Sequence, residues 1–251
     1  MQIIPLSEGS FTIDKTKRFV PFDTTKDDLQ ERPIGSLLVE IQPFAIITPD
    51  DILLIDTGLG YEIDGELQIH RNLREAGIEP GKITKVLMSH LHKDHAGGLS
   101  GDCASGAPNS PRSLAFPNAT YYVQRRELEY AFEKGPTSYI PEELECLKTA
   151  PNVVFLDQDN GVIDGYIRYE VTGAHCPWHQ AFWIVDAGET AFFGGDVAPQ
   201  LQQMKSRFVA KYDYNGKKAM EMRQEWWARG QSEGWTFLFY HDVKTPLFTS
   251  R

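Results

Sequence analysis

Cysteine is scarce in this chain: three residues in 251, Cys103, Cys146 and Cys176, at wide spacing. An odd, sparse set is not a disulfide framework and fits a reducing cytoplasm. No run of about eighteen consecutive apolar residues exists, so no bilayer-spanning segment is expected. The N-terminal stretch MQIIPLSEGSFTIDKTKRF soon turns polar and lacks the basic start and long apolar core of a secretory signal. Basic residues are in deficit: 25 Lys and Arg against 35 Asp and Glu leave a formal charge of −10. That sign opposes a general nucleic-acid or anionic-membrane surface, because both need Lys and Arg to meet phosphate. Internal repeats, low-complexity tracts and runs of like charge are absent too.

What is there is an ordinary globular composition, 41% hydrophobic and 24% charged. Two stretches read as loops: 14–36, of mixed charge with Pro21, Pro33 and Gly35, and 97–116, dense in Gly, Ser and Pro. Neither divides the chain into parts of different composition, so one domain over 1–251 with two elaborated loops is expected.

Short apolar runs rich in β-branched and aromatic residues predict strands at 3–4, 37–41, 44–47, 52–55, 86–88, 121–123, 153–156, 167–171, 182–185, 191–193 and 235–240. Helices are predicted over 66–76, stopped by Gly77, and over 124–134, 141–149 and 217–229. There are too few helices to follow every strand, which points to a layered α/β or α+β domain with mixed sheets. Strand 51–55, helix 66–76 and strand 84–88 form a crossover unit. If its strands are parallel, Asp56 and His90 stand at one rim, the edge where α/β sheets bind ligands.

The chemistry concentrates in Ser89-His90-Leu91-His92-Lys93-Asp94-His95-Ala96-Gly97-Gly98. In an extended segment His90 and His92 point the same way. A helical turn from Asp94 re-aims Asp94 and His95 at a second, neighbouring point. Imidazole and carboxylate suit Zn²⁺ and its first-row neighbours. Without a cation to collect them, three imidazoles and a carboxylate packed this closely would repel or desolvate one another. Two ligands per metal is too few, and three later strands each run out into a further candidate: His175, Asp196 and His241. With Asp196 bridging, one metal has His90, His92, His175 and Asp196, and the other has Asp94, His95, His241 and Asp196. Asp56 and Ser89 are candidates to orient the imidazoles by hydrogen bonds. Asp56 reads equally well as a turn-former before Thr57-Gly58. His179 is a supporting or packing residue, and His70 packs or faces solvent.

These motifs resemble the metallo-β-lactamase superfamily. Asp56-Thr57-Gly58 comes first, then SHLHKDHAGG at 89–98, GAHCPWH at 173–179, FGGD at 193–196 and His241. The resemblance implies an αβ/βα sandwich of two mixed sheets with outer helices, a dinuclear site at one edge, and His175 rather than His179 as ligand. The 116–127 tract and YHD at 240–242 look most like the branch of lactonases and organophosphate hydrolases. Three positions depart from the family pattern. Cys176 replaces a Thr or Ser, Trp178 replaces a Gly, and Pro199 stands where quorum-quenching lactonases carry a Tyr that meets the substrate carbonyl. Tyr212, Tyr214 or Tyr240 are candidates to substitute for it.

The expected function is metal-dependent hydrolysis of a small ester, lactone or related substrate. A water bridging two divalent cations ionises near neutral pH, and Asp94 stands beside it as ligand and proton acceptor. Zinc is the expected metal, with manganese or iron also suited to these ligands. The alternative is a mononuclear iron oxidoreductase like the persulfide dioxygenases of the superfamily. The expected partner is a small molecule, with no nucleic acid and no membrane, and a homodimer is compatible with such a chain. The pocket walls are expected from Phe22, Phe116, Tyr212 and Tyr240, together with Phe19, Leu114, Met204 and Phe208.

Overall fold

The computed structural model describes residues 1–101 and 112–250. The greater part of the Gly/Ser/Pro-rich loop, including Cys103, lies outside the described residues. Two six-stranded sheets dominate. In spatial order the first holds Gln2–Pro5, Phe44–Ile47, Ile52–Ile55, Lys85–Leu87, Thr120–Gln124 and Val153–Leu156. Its first three strands pair antiparallel, and from Ile52–Ile55 onward every pairing is parallel. The second holds Asn160–Ile163, Ile167–Val171, Gln180–Asp186, Glu189–Phe193, Thr236–Leu238 and Leu247–Thr249. It is antiparallel apart from the pairing of Glu189–Phe193 with Thr236–Leu238.

Period-two alternation assigns each side chain to a layer. Leu53 and Ile55 meet Phe182, Ile184, Ala191, Phe193 and Leu238 in one cluster between the sheets. Phe44 of the first sheet and Phe193 of the second touch edge to face at 5.9 Å. The intervening Leu54 and Val86 face outward, onto Ile69 and Leu73 of helix Gln68–Glu75 and Leu128 and Ala131 of helix Arg125–Lys134. On the other flank Trp183, Phe192 and Phe237 pack on Ala219 and Trp226 of helix Gly216–Glu233. The layers are therefore helix, sheet, sheet, helix: the αβ/βα sandwich. Among the described residues no helix is long and apolar enough to cross a membrane.

The predicted crossover is present: Ile52–Ile55 and Lys85–Leu87 are adjacent and parallel, with Ile55 opposite Leu87. The helix between them starts at Gln68 rather than residue 66, because Glu66–Leu67 first pairs with Glu62–Ile63. Gly77 ends it at a φ of 80°, as a helix stop requires. The 141–149 segment is a single helical turn, Pro141–Leu144, followed by the 3₁₀ turn Glu145–Lys148. The 14–36 stretch is not wholly loop. Phe19–Pro21 pairs with Gly9–Ile13, which pairs in turn with Leu37–Ile41, making a small third sheet beside the sandwich.

Candidate metal centre

Parallel pairing decides where the polar residues fall. Asp56 and Ser89-His90 follow the C-terminal ends of one parallel pair, and Asp196 and His241 follow those of the other. The two pairs open onto the same rim.

Asp56 leaves its strand with a φ of 55°, a left-handed conformation that Asp adopts more readily than most residues. Its fully buried carboxylate accepts the Ser89 amide, the Ser89 hydroxyl and the Nδ1–H of His95, each at 2.7 Å. Asp56 is thus both the turn-former and the orienting group that the sequence left as alternatives. The Ser89 hydroxyl, donating to Asp56, accepts the Nδ1–H of His90 at 3.0 Å. Both imidazoles are fixed with Nε2 turned toward the centre, and neither Nε2 makes a well-aligned hydrogen bond there. His95 is further held by the Tyr240 ring, stacked at 3.9 Å, while the Tyr240 hydroxyl donates to the Asp94 carbonyl at 2.6 Å.

His175 donates its Nδ1–H to Asp213 at 2.9 Å, which turns its Nε2 toward Nδ1 of His92 at 3.1 Å. His241 donates its Nδ1–H to the Glu40 carbonyl at 2.7 Å. Its Nε2 then lies 3.1 Å from Asp196 Oδ1 and 3.5 Å from Asp94 Oδ2. Asp196 is shared between the two halves: Oδ1 lies 3.0 Å from His95 Nε2, whereas Oδ2 lies 3.3 Å from His175 Nε2. The donor atoms of His90, His92, His175 and Asp196 lie within 4.8 Å of one another, and so do those of Asp94, His95 and His241. Asp56, His90 and His95 also fall within such a distance, but the Asp56 oxygens are already occupied by Ser89 and His95.

The electrostatics fit a cation. Burial, followed by neighbouring imidazoles, holds His90 and His92 well below the ordinary histidine pKa, leaving them neutral with lone pairs free. Burial acts the same way on His95 and His241, but the carboxylates of Asp196 and Asp94 outweigh it and raise both. Burial likewise opposes ionisation of Asp196, and His241, His95 and His175 overcome it, pushing that carboxyl well below its usual range. Asp196 Oδ1 joins the two Nε2 atoms as a buried polar atom without a hydrogen-bond partner. Such orphans are costly unless something positive sits among them. A first-row divalent ion answers that demand, and an all-N/O donor set is one such ions accept.

His179 stands behind the cluster. Its Nδ1–H meets Thr172 Oγ1 at 3.1 Å, and its Nε2 accepts the Asp196 amide at 3.1 Å. Gly195 lets the chain pass at a φ of 49°, where a Cβ would come within 2.4 Å of that Nε2. His70 packs edge to face on Phe116 at 5.0 Å.

The centre opens into a cavity of about 560 Å³. Tyr212, Phe19 and Phe208 line it. Phe116 and Leu114 do not: both are buried in the core under helix Gln68–Glu75, because their strand-and-turn segment faces that layer. Phe22 is buried outside the cavity lining, Met204 joins the core of helix Gly216–Glu233, and Tyr240 is sealed against His95. Cys176 is a packed residue rather than a soft ligand, its thiol buried against Glu127 at 3.3 Å. Trp178 lies under the Arg126 guanidinium at 4.2 Å. Sequence reasoning missed Asp213, which sits in a loop with no motif, and the Glu40 carbonyl, which no side-chain pattern can reveal.

An αβ/βα sandwich whose facing sheet ends gather a paired His/Asp cluster defines a class of metal-binding folds. The chain belongs to the metallo-beta-lactamase superfamily, whose family model matches residues 39–234. Among curated relatives it is 31% identical over 175 residues to the N-acyl homoserine lactonase AttM of Azorhizobium caulinodans. That match covers 57% of this chain and 59% of the relative, so the chain spans about three fifths of that relative's length. A probable metal-dependent hydrolase from Staphylococcus aureus superposes with a TM-score of 0.78 at 21% identity, covering 99% of this chain and 91% of that one. AidC, a dizinc quorum-quenching lactonase in complex with a product, superposes with a TM-score of 0.71 at 18% identity, covering 98% and 89%. Relatives named as lactonases do not favour the iron-oxygenase alternative.

Proposed function

We propose that the chain is a metal-dependent hydrolase that opens lactones and cleaves related small esters. In this reading His90, His92, His175 and Asp196 hold one divalent cation, and Asp94, His95, His241 and Asp196 hold a second, with zinc as the expected metal. One observation carries it: Asp196 offers one carboxylate oxygen to each of two histidine sets, while the inward-facing Nε2 atoms of His90 and His95 make no well-aligned hydrogen bond. The kinship with N-acyl homoserine lactonases supports lactones as the substrate class.

When bound, such a pair of cations supplies an ionised water near neutral pH and polarises a carbonyl oxygen. The rest falls to the chain. Asp56, Ser89, Asp213 and the Glu40 carbonyl hold four imidazoles in one tautomer, so their free nitrogens need no reorganisation. Asp94, at the cavity wall, would accept the proton that the water loses and return it to the alcohol oxygen as the ester C–O bond breaks. Pro199 also lines the cavity, and Tyr212 is the tyrosine that does so. We therefore assign Tyr212 the hydrogen bond to the substrate carbonyl. Tyr240 is unsuited to that role because its hydroxyl is committed to Asp94.

Metal analysis and a lactone hydrolysis assay on the wild type and on Asp196→Ala test the reading. The expected outcome is two cations per chain falling to one or fewer. Activity should fall by more than the ~100-fold that loss of an outer supporting partner costs. Equal activity in both proteins would show that the reaction does not use this centre.

A further inference from the structure

Although the protein is acidic overall, the wall of its cavity carries three lysines: Lys15, Lys17 and Lys93. Lys15 and Lys17 belong to the turn joining Gly9–Ile13 to Phe19–Pro21, so the tip of this hairpin overhangs the opening. The turn is closed by the Lys17 amide donating to the Asp14 carbonyl at 3.0 Å, with Lys17 at a φ of 58°. None of the three ammonium groups makes an ion pair or hydrogen bond to a carboxylate among the described residues. Outside the cavity Lys26, Lys85, Lys134, Lys148 and Lys217 are paired with carboxylates, whereas other surface lysines are not; what sets these three apart is that they line one cavity. Asp14, the acidic neighbour at the tip, is committed to the Thr16 amide at 2.8 Å and hydroxyl at 2.6 Å. Lys17 and Lys93 line the same cavity. The cavity wall also carries the apolar Ile13, Phe19, Leu37, Leu38, Val39 and Phe208, beside the polar Gln200, Gln202, Gln203 and Ser206.

A neutral acyl chain has no use for three ammonium groups lining its pocket. We propose that Lys15, Lys17 and Lys93 form an anion-binding rim selecting a substrate with a short apolar stem and a remote anionic group, a carboxylate or a phosphate. The assignment deepens the hydrolase reading by naming the substrate's second functional group. Its binding test does not depend on turnover.

Isothermal titration of the metal-loaded protein with glutarate and butyrate provides the test, with 3-phosphonopropionate as the phosphate-like arm. Glutarate should bind more tightly than butyrate, by about fivefold for each ammonium engaged. The ratio should shrink in Lys17→Gln, shrink further in Lys15→Gln/Lys17→Gln, and weaken with added salt. Lys148→Gln, at a residue outside the cavity lining and paired with Glu145, should leave the ratio unchanged. A larger gain for the phosphonate than for glutarate would identify the anion as phosphate. Equal affinity for glutarate and butyrate, with no gain for the phosphonate, would overturn the proposal. So would a ratio that survives the double substitution. A parallel assay on a panel of lactones and esters, both neutral and bearing a terminal carboxylate, separates the two claims: failure to hydrolyse any would sink the hydrolase reading while the titration still decided the rim.

Discussion

At the scale of single residues, the molecule spends buried polar groups to aim other polar groups. Asp56, Ser89, His179 and Asp213 each satisfy one side of a residue whose other side faces the centre. Glu8 is different. It is buried beneath Leu59, whose amide donates to Oε2 at 2.7 Å, and its Oε1 has no partner. Burial is the main cause and raises its pKa to about 8. The unfolded chain releases this proton near pH 4.5, whereas the folded chain keeps it until about pH 8. The stabilisation is therefore full below pH 4.5 and is lost as pH rises to about 8. Glu8→Gln keeps an acceptor for Leu59 and cannot ionise. Relative to its stability at pH 4.5, it should gain on the wild type by pH 9, by an amount on the order of a few kcal/mol. Chemical denaturation midpoints across that range measure the difference, and parallel profiles for the two proteins would refute it.

At the scale of elements, what could be read in the sequence depended on how strongly a segment expresses its period. The central strands are apolar on both faces and were plain, as was the crossover unit. Phe19–Pro21, Asn160–Ile163 and Leu247–Thr249 are short and lie at sheet edges. They lack an alternating face and went unread. The gathering of the seven His and Asp residues at one rim was legible because the hexapeptide is dense and the later residues follow strand ends. The pocket wall was not. Whether Phe116 or Phe19 faces the cavity depends on which layer its segment packs against, and one sequence carries no such information. Gly230 shows packing overriding propensity. Gly→Ala inside a helix ordinarily gains about 1 kcal/mol, yet a Cβ here would stand 2.1 Å from the Phe237 ring. Gly230→Ala should therefore lower stability, by about 1–3 kcal/mol, displacing helix Gly216–Glu233 from the second sheet. A thermal midpoint at or above the wild-type value would contradict this.

At the scale of the whole molecule, two sheets of different connectivity are placed so that the parallel pair Ile52–Ile55/Lys85–Leu87 and the parallel pair Glu189–Phe193/Thr236–Leu238 open at one rim. That placement brings together residues from Asp56 to His241. The sandwich core supplies the rigidity, and the small third sheet supplies the wall and the cationic tip of the cavity. The central claim is that this rim holds two cations. Anomalous scattering from crystals grown with zinc tests it most directly. The account predicts two peaks, one among His90, His92 and His175 and one among Asp94, His95 and His241, with Asp196 between them. No peak at the rim, or zinc bound only elsewhere on the chain, would contradict it.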